Sequence, residues 1–451
     1  MSDFIPEEVV VGILSRLPTK SLIRFRSVSK LWYSLIASPN FITSHLNQSL
    51  TSPKNSYHNL PLVTVRQCIA PTSPIRYGPS QEQIRLEHYK LFIDTGEEED
   101  NTFDEYLEIP FPLYSRYCYV LQGYVKGLFC FELSEIFLWN PSIRRSISLP
   151  KPGITENTHG LFSDYLGFGF DSQSNDYKVV RVVILCGGTR SEEVPLVEVY
   201  SLNSGSWKES SGAGNSFPRG SGLLYLECPA ACLEGAIHFV AQRGGNWGAR
   251  SICSFDLGDE MFKTMSLPNG LATKEMRTIV FRGSLSLLCH DDSALANKFC
   301  SVWIMKEYGV VDSWYKYVKV DLTGGIMRVV GIRKNGHILL EGKTPQHWKH
   351  WELSSYDPLN NEIKKLGTLG VHFHVDTYEE NLILLNKPND PVLIETNKTN
   401  DPVPRMGRNR KRKDRNIPIY RGVLVLTSEV FVGYALSFSD MMCLPYDYDK
   451  N

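Results

Sequence analysis

Several stretches of this 451-residue chain hold residue types that can do chemistry. Residues 336–344 read GHILLEGKT, which invites comparison with a phosphate-binding loop. Such a loop sets four residues between its first glycine and Gly-Lys-Thr, so that successive backbone N–H groups wrap one phosphate. Here five intervene, and three of them are Ile338, Leu339 and Leu340, so a buried strand is the expectation. His372 and His374 stand two apart and share one side of a strand, and His347 and His350 flank Trp348. Neither pair has a third ligand at metal-site spacing, so surface or sheet-edge histidines are expected. Cys228 and Cys232 form a C-x3-C without a second pair nearby. Two small thiols packed in a β core outweigh a zinc site there. No G-x-S-x-G nucleophile turn occurs, and no motif places a pair of carboxylates. No catalytic constellation, metal or cofactor is therefore expected. The run 405–416, RMGRNRKRKDRN, carries seven basic residues and one acidic. It reads either as an exposed disordered insertion or as a nuclear-import signal or anionic-partner patch centred on Arg410, Lys411, Arg412 and Lys413.

The chain is too long for one ordinary core, so a small module plus one large domain, or two or three medium ones, is expected. Its formal net charge is −1, which points to neither nucleic acid nor an anionic membrane as the main partner. The opening MSDFIPEEVV has no basic flank before an apolar core, unlike a secretory signal. The longest apolar stretch, 423–438, is interrupted by Thr427, Ser428 and Glu429, so no membrane span is expected. The expected location is the cytoplasm, the nucleus or both, with the ten scattered cysteines reduced.

The first 46 residues read as helical. Pro6 suits a first turn, and Glu7 and Glu8 favour its positive end. Val9, Val10, Ile13, Leu14 and Leu17 then recur at helical spacing, and Pro18 stops the run. A second short helix spans about 20–26. Ser29 caps a third, in which Leu31, Trp32, Leu35 and Ile36 share a face, and Pro39 ends it. Three short helices make a thin core with a generous apolar supply, so part of that supply should stay open until a partner covers it.

From about residue 85 onward the chain reads as short strands. Gly127, Gly235, Gly283 and Gly336 each open a short apolar run. An aromatic residue, a turn and a return strand follow. The aromatics Trp139, Tyr200, Phe255, Trp303 and Tyr356 lie 61, 55, 48 and 53 residues apart. About 50 is the period of a kelch-type propeller blade. One such blade is apolar on both faces and must stack with its neighbours, as the doubly apolar YKVVRVVIL from Tyr177 suggests. The expected fold is a small all-α module followed by a large all-β, propeller-like domain.

The string IPEEVVVGILSRLPTKSLIRFRSVSKLWYSLIASPNF resembles an F-box, which docks onto the Skp-type adaptor of cullin-based ubiquitin ligases. The segments GLFCF, LWNPSIRRSISLP, GFGFDSQSNDYKVVRV, VEVYSLNSGSWKE and ICSFDLGDEMFKTMSLP resemble the F-box-associated, kelch-like region of a large plant F-box group. That resemblance covers roughly residues 3–385 and implies an F-box at 1–46 and a propeller at 81–385. Between them, residues 47–80 are rich in Ser, Pro, Asn and Tyr and read as a linker with one strand at 62–66. Residues after 385 depart from the family pattern: a basic insertion is expected at 386–420, and 421–451 are expected either to supply closing strands for the propeller or to form an appended tail. The resemblance implies that Ile5, Pro6, Val9, Leu17, Pro18 and Leu22 face the adaptor, while Leu14, Trp32 and Leu35 hold the helices together. It implies a non-catalytic substrate receptor of a Skp–cullin–F-box (SCF) ligase, binding an unidentified target protein for ubiquitination. The group includes regulators of plant defence and self-incompatibility receptors, and the sequence does not choose between them. An interaction scaffold that does not drive degradation, and a propeller enzyme with convergent titratable groups in its channel, are the rival readings. Target recognition is expected in the glycine-rich loops 187–193 and 243–250, with Trp247 as the candidate anchor.

Overall fold

The computed structural model describes residues 6–51, 62–69, 75–77, 82–84, 86–94, 104–108, 113–114, 121–132, 135–186, 194–218, 224–243, 249–291, 298–333, 335–344 and 347–388. Helix α1 (Glu7–Leu14) starts after Pro6, with both glutamates in its first turn. Helix α2 (Thr19–Phe25) starts after Pro18. The Ser29 hydroxyl accepts the Trp32 N–H at 3.1 Å and so caps α3 (Lys30–Ile36). A fourth helix follows, where three were expected: α4 (Pro39–Thr51). Pro39 opens it, because a missing N–H costs nothing in a first turn, and Ser38 accepts the Phe41 N–H.

The described remainder holds a separate two-stranded sheet of Ile75–Tyr77 with Glu82–Ile84 and a β-propeller of five sheets. Four are four-stranded antiparallel blades within 121–148, 162–209, 224–265 and 275–321. Three of the landmark glycines sit second in two-residue turns. Lys126-Gly127, Glu234-Gly235 and Arg282-Gly283 all have positive φ at both positions. Such turns match the twist of the flanking strands, and glycine takes the second position without steric cost. The landmark aromatics lie on third strands. Trp139, Tyr200 and Phe255 are buried between blades, in register with Phe129, Val179 and Ile237. Strand Asp176–Leu185 is buried along both faces over most of its length. The near phosphate-loop segment is strand Ile338–Thr344, whose Ile338, Leu339 and Leu340 are fully buried.

The fifth sheet has eight strands and closes the ring. Its 16-residue strand Glu362–Thr377 pairs first with His347–Asp357 and then, through Val371–Thr377, with Leu62–Ile69. Leu62–Ile69 pairs in turn with Leu86–Asp94. The strand expected inside a linker is thus an interior strand of the closing sheet. Among the described residues, closure comes from the segment before the blades; the expected basic insertion from 389 onward and the C-terminal strands or tail at 421–451 lie outside the described residues. Phe92 packs with Val330, Leu339, Leu353 and Phe373, so the two halves of this sheet share one core. Leu91 packs against Phe129, Phe131 and Trp139 of the first blade. Arg333 donates from Nε and one terminal nitrogen to the two oxygens of Asp94, at 2.8 and 2.9 Å, with both side chains buried. This two-pronged pair clamps the strand before the blades to the last blade and is intolerant of losing either partner.

Candidate functional site

The helical module has a sealed side and an open side. On the sealed side Leu14, Leu22, Ile36, Phe41 and Ile42 form one core with Leu382 and Leu385. Half-buried Trp32 and Leu35 pack against it, and Trp32 meets Phe25 edge-on at 5.7 Å. His45 of α4 donates from Nε2 to the Leu17 carbonyl at 3.0 Å, tying α4 to the corner between α1 and α2. Burial lowers the pKa of this imidazole, which favours the neutral ring.

Leu382 and Leu385 belong to a strap that leaves the last propeller strand. The strap is held by polar groups of the first two blades. Asn140 Nδ2 donates to the Asn381 side chain at 2.7 Å and to the Ile383 carbonyl at 2.8 Å. Arg145 donates to the Lys387 carbonyl at 2.7 Å, and Lys387 donates to the Leu202 carbonyl at 2.9 Å. Asn381 also donates to the Lys126 carbonyl. A Cβ on Gly127 would collide with Asn381, so this glycine serves the strap as well as its turn. Leu46 of α4 enters the core between blades one and two. The module is therefore docked on the propeller, at the end that carries the turns between first and second strands and between third and fourth.

The open side is apolar too. Val9 is 48% and Ile13 55% exposed, one helical turn apart on α1. Val28, Leu31 and Tyr33 are also exposed. Of the residues expected to face the adaptor, Pro6 and Pro18 are exposed with Val9, and Leu17 is half-buried. Leu22 is fully buried, at 0%, which corrects the expectation. Helix α2 has only seven residues, and Leu22 is its inward anchor beside Leu14 and Ile36. Ile5 lies outside the described residues, as do Trp247, Arg410, Lys411, Arg412 and Lys413. Ile13 was legible as the i+4 neighbour of Val9. Nothing local in the sequence marks Leu382 and Leu385.

In an antiparallel blade the connection from second to third strand leaves from the opposite end. The strand ends at Leu185 and Leu196, and at Arg243 and Arg250, bracket the two glycine-rich loops and lie at that far end.

Among the described residues, no group of three or more His, Cys, Asp or Glu is placed to hold a metal ion, and no helix is long and apolar enough to cross a membrane. Cys228 donates to the Leu166 carbonyl, and burial pushes the Cys232 thiol up to about 11, opposite to what a nucleophile or metal ligand needs. The side chains of His347, His350 and His372 lie outside the described residues.

A short helical module fixed to one end of a propeller, with apolar surface uncovered, is the build of a two-ended binding protein. The chain belongs to the F-box-associated β-propeller family: the family model "F-box associated beta propeller domain" matches residues 86–387, and the F-box domain model matches residues 4–44. Similar proteins include F-box protein CPR1 of Arabidopsis thaliana, 28% identical over 399 residues, covering 84% of this chain and 87% of that protein. F-box/kelch-repeat protein At3g23880 of the same plant is 28% identical over 350 residues, covering 75% of this chain and 85% of that protein. Among solved structures, a puromycin-hydrolysing peptidase of Mycobacterium tuberculosis aligns with a TM-score of 0.34 and 11% identity. The alignment covers 69% of this chain and 47% of that one, a likeness too slight to carry an argument.

Proposed function

We propose that this protein is the substrate-recognition subunit of an SCF-type ubiquitin ligase, acting in the cytoplasm or nucleus. The F-box domain implies binding to a Skp-type adaptor. The observation that carries the reading is the uncovered apolar side of the module, with Val9 and Ile13 about half exposed although Leu14 beside them is sealed. Apolar patches of this kind mark protein-binding surfaces. The adaptor covers that side, and the cullin scaffold is reached through the adaptor. A target protein is held by loops at the opposite end of the propeller. The receptor then works by proximity: tethering raises the effective concentration of target lysines near the ubiquitin-charged enzyme to roughly millimolar in favourable geometry.

The test is a double substitution, Val9→Glu with Ile13→Glu. Both side chains are exposed, so the variant should melt with the parent protein, while capture by a purified Skp-type adaptor should be lost. A folded variant that still captures the adaptor at parental strength overturns the reading.

A further inference from the structure

The first strands of the sheets, together with the end of strand Glu362–Thr377, enclose a well of about 260 Å³. Its lining includes Ile279, Val330 and Val375 and the charged Lys126, Arg277, Asp376 and Glu379. The well is not part of the apolar side of the helical module.

Two carboxylates here, Asp376 and Glu379, make no contact ion pair with a lysine or arginine among the described residues, although Lys126 is near enough to Glu379 to act on its charge. Glu379 Oε2 is shielded from solvent and has no hydrogen-bond partner. Lys126 makes no ion pair with it, because its ammonium lies 4.0 Å over the Phe170 ring. Asp376 accepts the Thr377 N–H at 2.7 Å on one oxygen. Its other oxygen lies 3.9 Å from His374 Nε2. That contact is not an ion pair at neutral pH, since burial and the guanidiniums of Arg277 and Arg328 push His374 down to about 3. Burial and the neighbouring Glu379 charge push the Asp376 carboxyl up to about 7. Arg277 is no closer remedy, because its terminal nitrogen donates to the Val329 and Val330 carbonyls at 2.9 and 2.8 Å.

A shielded carboxylate oxygen without a partner is costly, and Glu379 presents one to a well whose lining also offers the side chains of Ile279, Val330 and Val375. We infer that this well binds a small primary amine, with its ammonium between Asp376 and Glu379 and a short apolar tail against Ile279, Val330 and Val375. The ammonium supplies the missing contact ion pair and donates to Glu379 Oε2. The tail replaces water along the aliphatic wall. The opposite orientation would carry positive charge towards Arg277.

The experiment is calorimetric titration of the full chain with three probes that share one tail: pentylamine, pentanol and pentanoate. Pentylamine should bind, and the alcohol and the acid should not. Glu379→Gln and Asp376→Asn should each weaken pentylamine roughly ten- to a hundredfold, the usual range for a lost hydrogen bond to a charged group. Neither variant should melt below the parent protein, because each removes one of two mutually repelling carboxylates. That readout separates a binding role from a structural one. Silence with millimolar pentylamine overturns the inference. So does equal binding of pentanol, or pentylamine binding of parental strength in both variants.

Discussion

The propeller blades and the helical module handle the same kind of apolar surface in opposite ways. In the blades the faces that meet between neighbouring sheets are permanently covered, and the apolar residues left exposed, such as Leu161, Met261 and Leu359, lie on strand edges and connections. Phe239, Phe255 and Ile237 are sealed between blades two and three, as Leu287, Ile252 and Leu285 are between blades three and four. In the module only one side has such a cover, and it is borrowed from a strap whose Leu382 and Leu385 are distant in sequence from α3. The other side, with Val9 and Ile13, stays open. Surface that folding must hide is covered by the chain itself. Two bare aliphatic side chains one turn apart on a helix of so small a module read as surface kept for a partner.

The sharpest way to break this contrast is to unseal the strap. Leu382→Asp with Leu385→Asp places two carboxylates in the module's core, each costing several kcal/mol. A module of this size has only a few kcal/mol to lose. Adaptor capture should vanish, while the blades keep the parental melting transition by near-ultraviolet circular dichroism. The reciprocal experiment is Arg333→Met, which strands the buried Asp94. It should destabilise the propeller by about 3–5 kcal/mol in urea titration. At low denaturant, adaptor capture should be untouched.

A pH effect comes next in size. Asp376 has a folded pKa raised from 3.8 to about 7. Its contribution to stability is thus fully present below pH 3.8 and is lost as pH rises through 7. Asp376→Asn should therefore gain stability over the parent at pH 8, and the gain should shrink towards pH 5. His238 behaves oppositely. It donates from Nδ1 to the Ala231 carbonyl, so its Nε2 accepts from the Tyr308 hydroxyl at 2.9 Å. Burial lowers it to about 4, so its stabilising share is lost as pH falls from 6.5 towards 4. Chemical denaturation of Tyr308→Phe at pH 8 and pH 5 should show only a modest cost, about 1 kcal/mol or less. The smallest effect belongs to Leu359, 90% exposed on an outer turn of the fifth sheet. Leu359→Ser should stay within about 0.5 kcal/mol of the parent and leave adaptor capture intact. A large loss there would show that exposure does not distinguish the two kinds of surface.

Much of this build was legible in the sequence, because its signals are local. Gly127 and Gly235 announce their turns, Trp139 and Phe255 their third strands, and Ser29 its helix cap. Those features depend on backbone geometry within a few residues. What escaped depends on distant partners. Pro39 reads as a stop, yet it opens α4. The strand Leu62–Ile69 looks like linker until its partners at 86–94 and 371–377 are in place. Asn140 reads as turn chemistry, but its amide anchors the strap at Asn381. Leu22 sits on the second helix, outside the stripe of α1, and the family resemblance alone assigns it to the open side. Only the packing of α2 against Leu14 and Ile36 turns it inward.

Hydrogen exchange of the full chain, with and without a purified Skp-type adaptor, tests the central claim most directly. Amides of α1 and of residues 28–33 should slow when the adaptor binds. Those of the strap, 381–387, should already be slow and stay unchanged. Protection that appears on the propeller blades instead, or in the strap alone, would contradict the assignment of the open side as the contact surface.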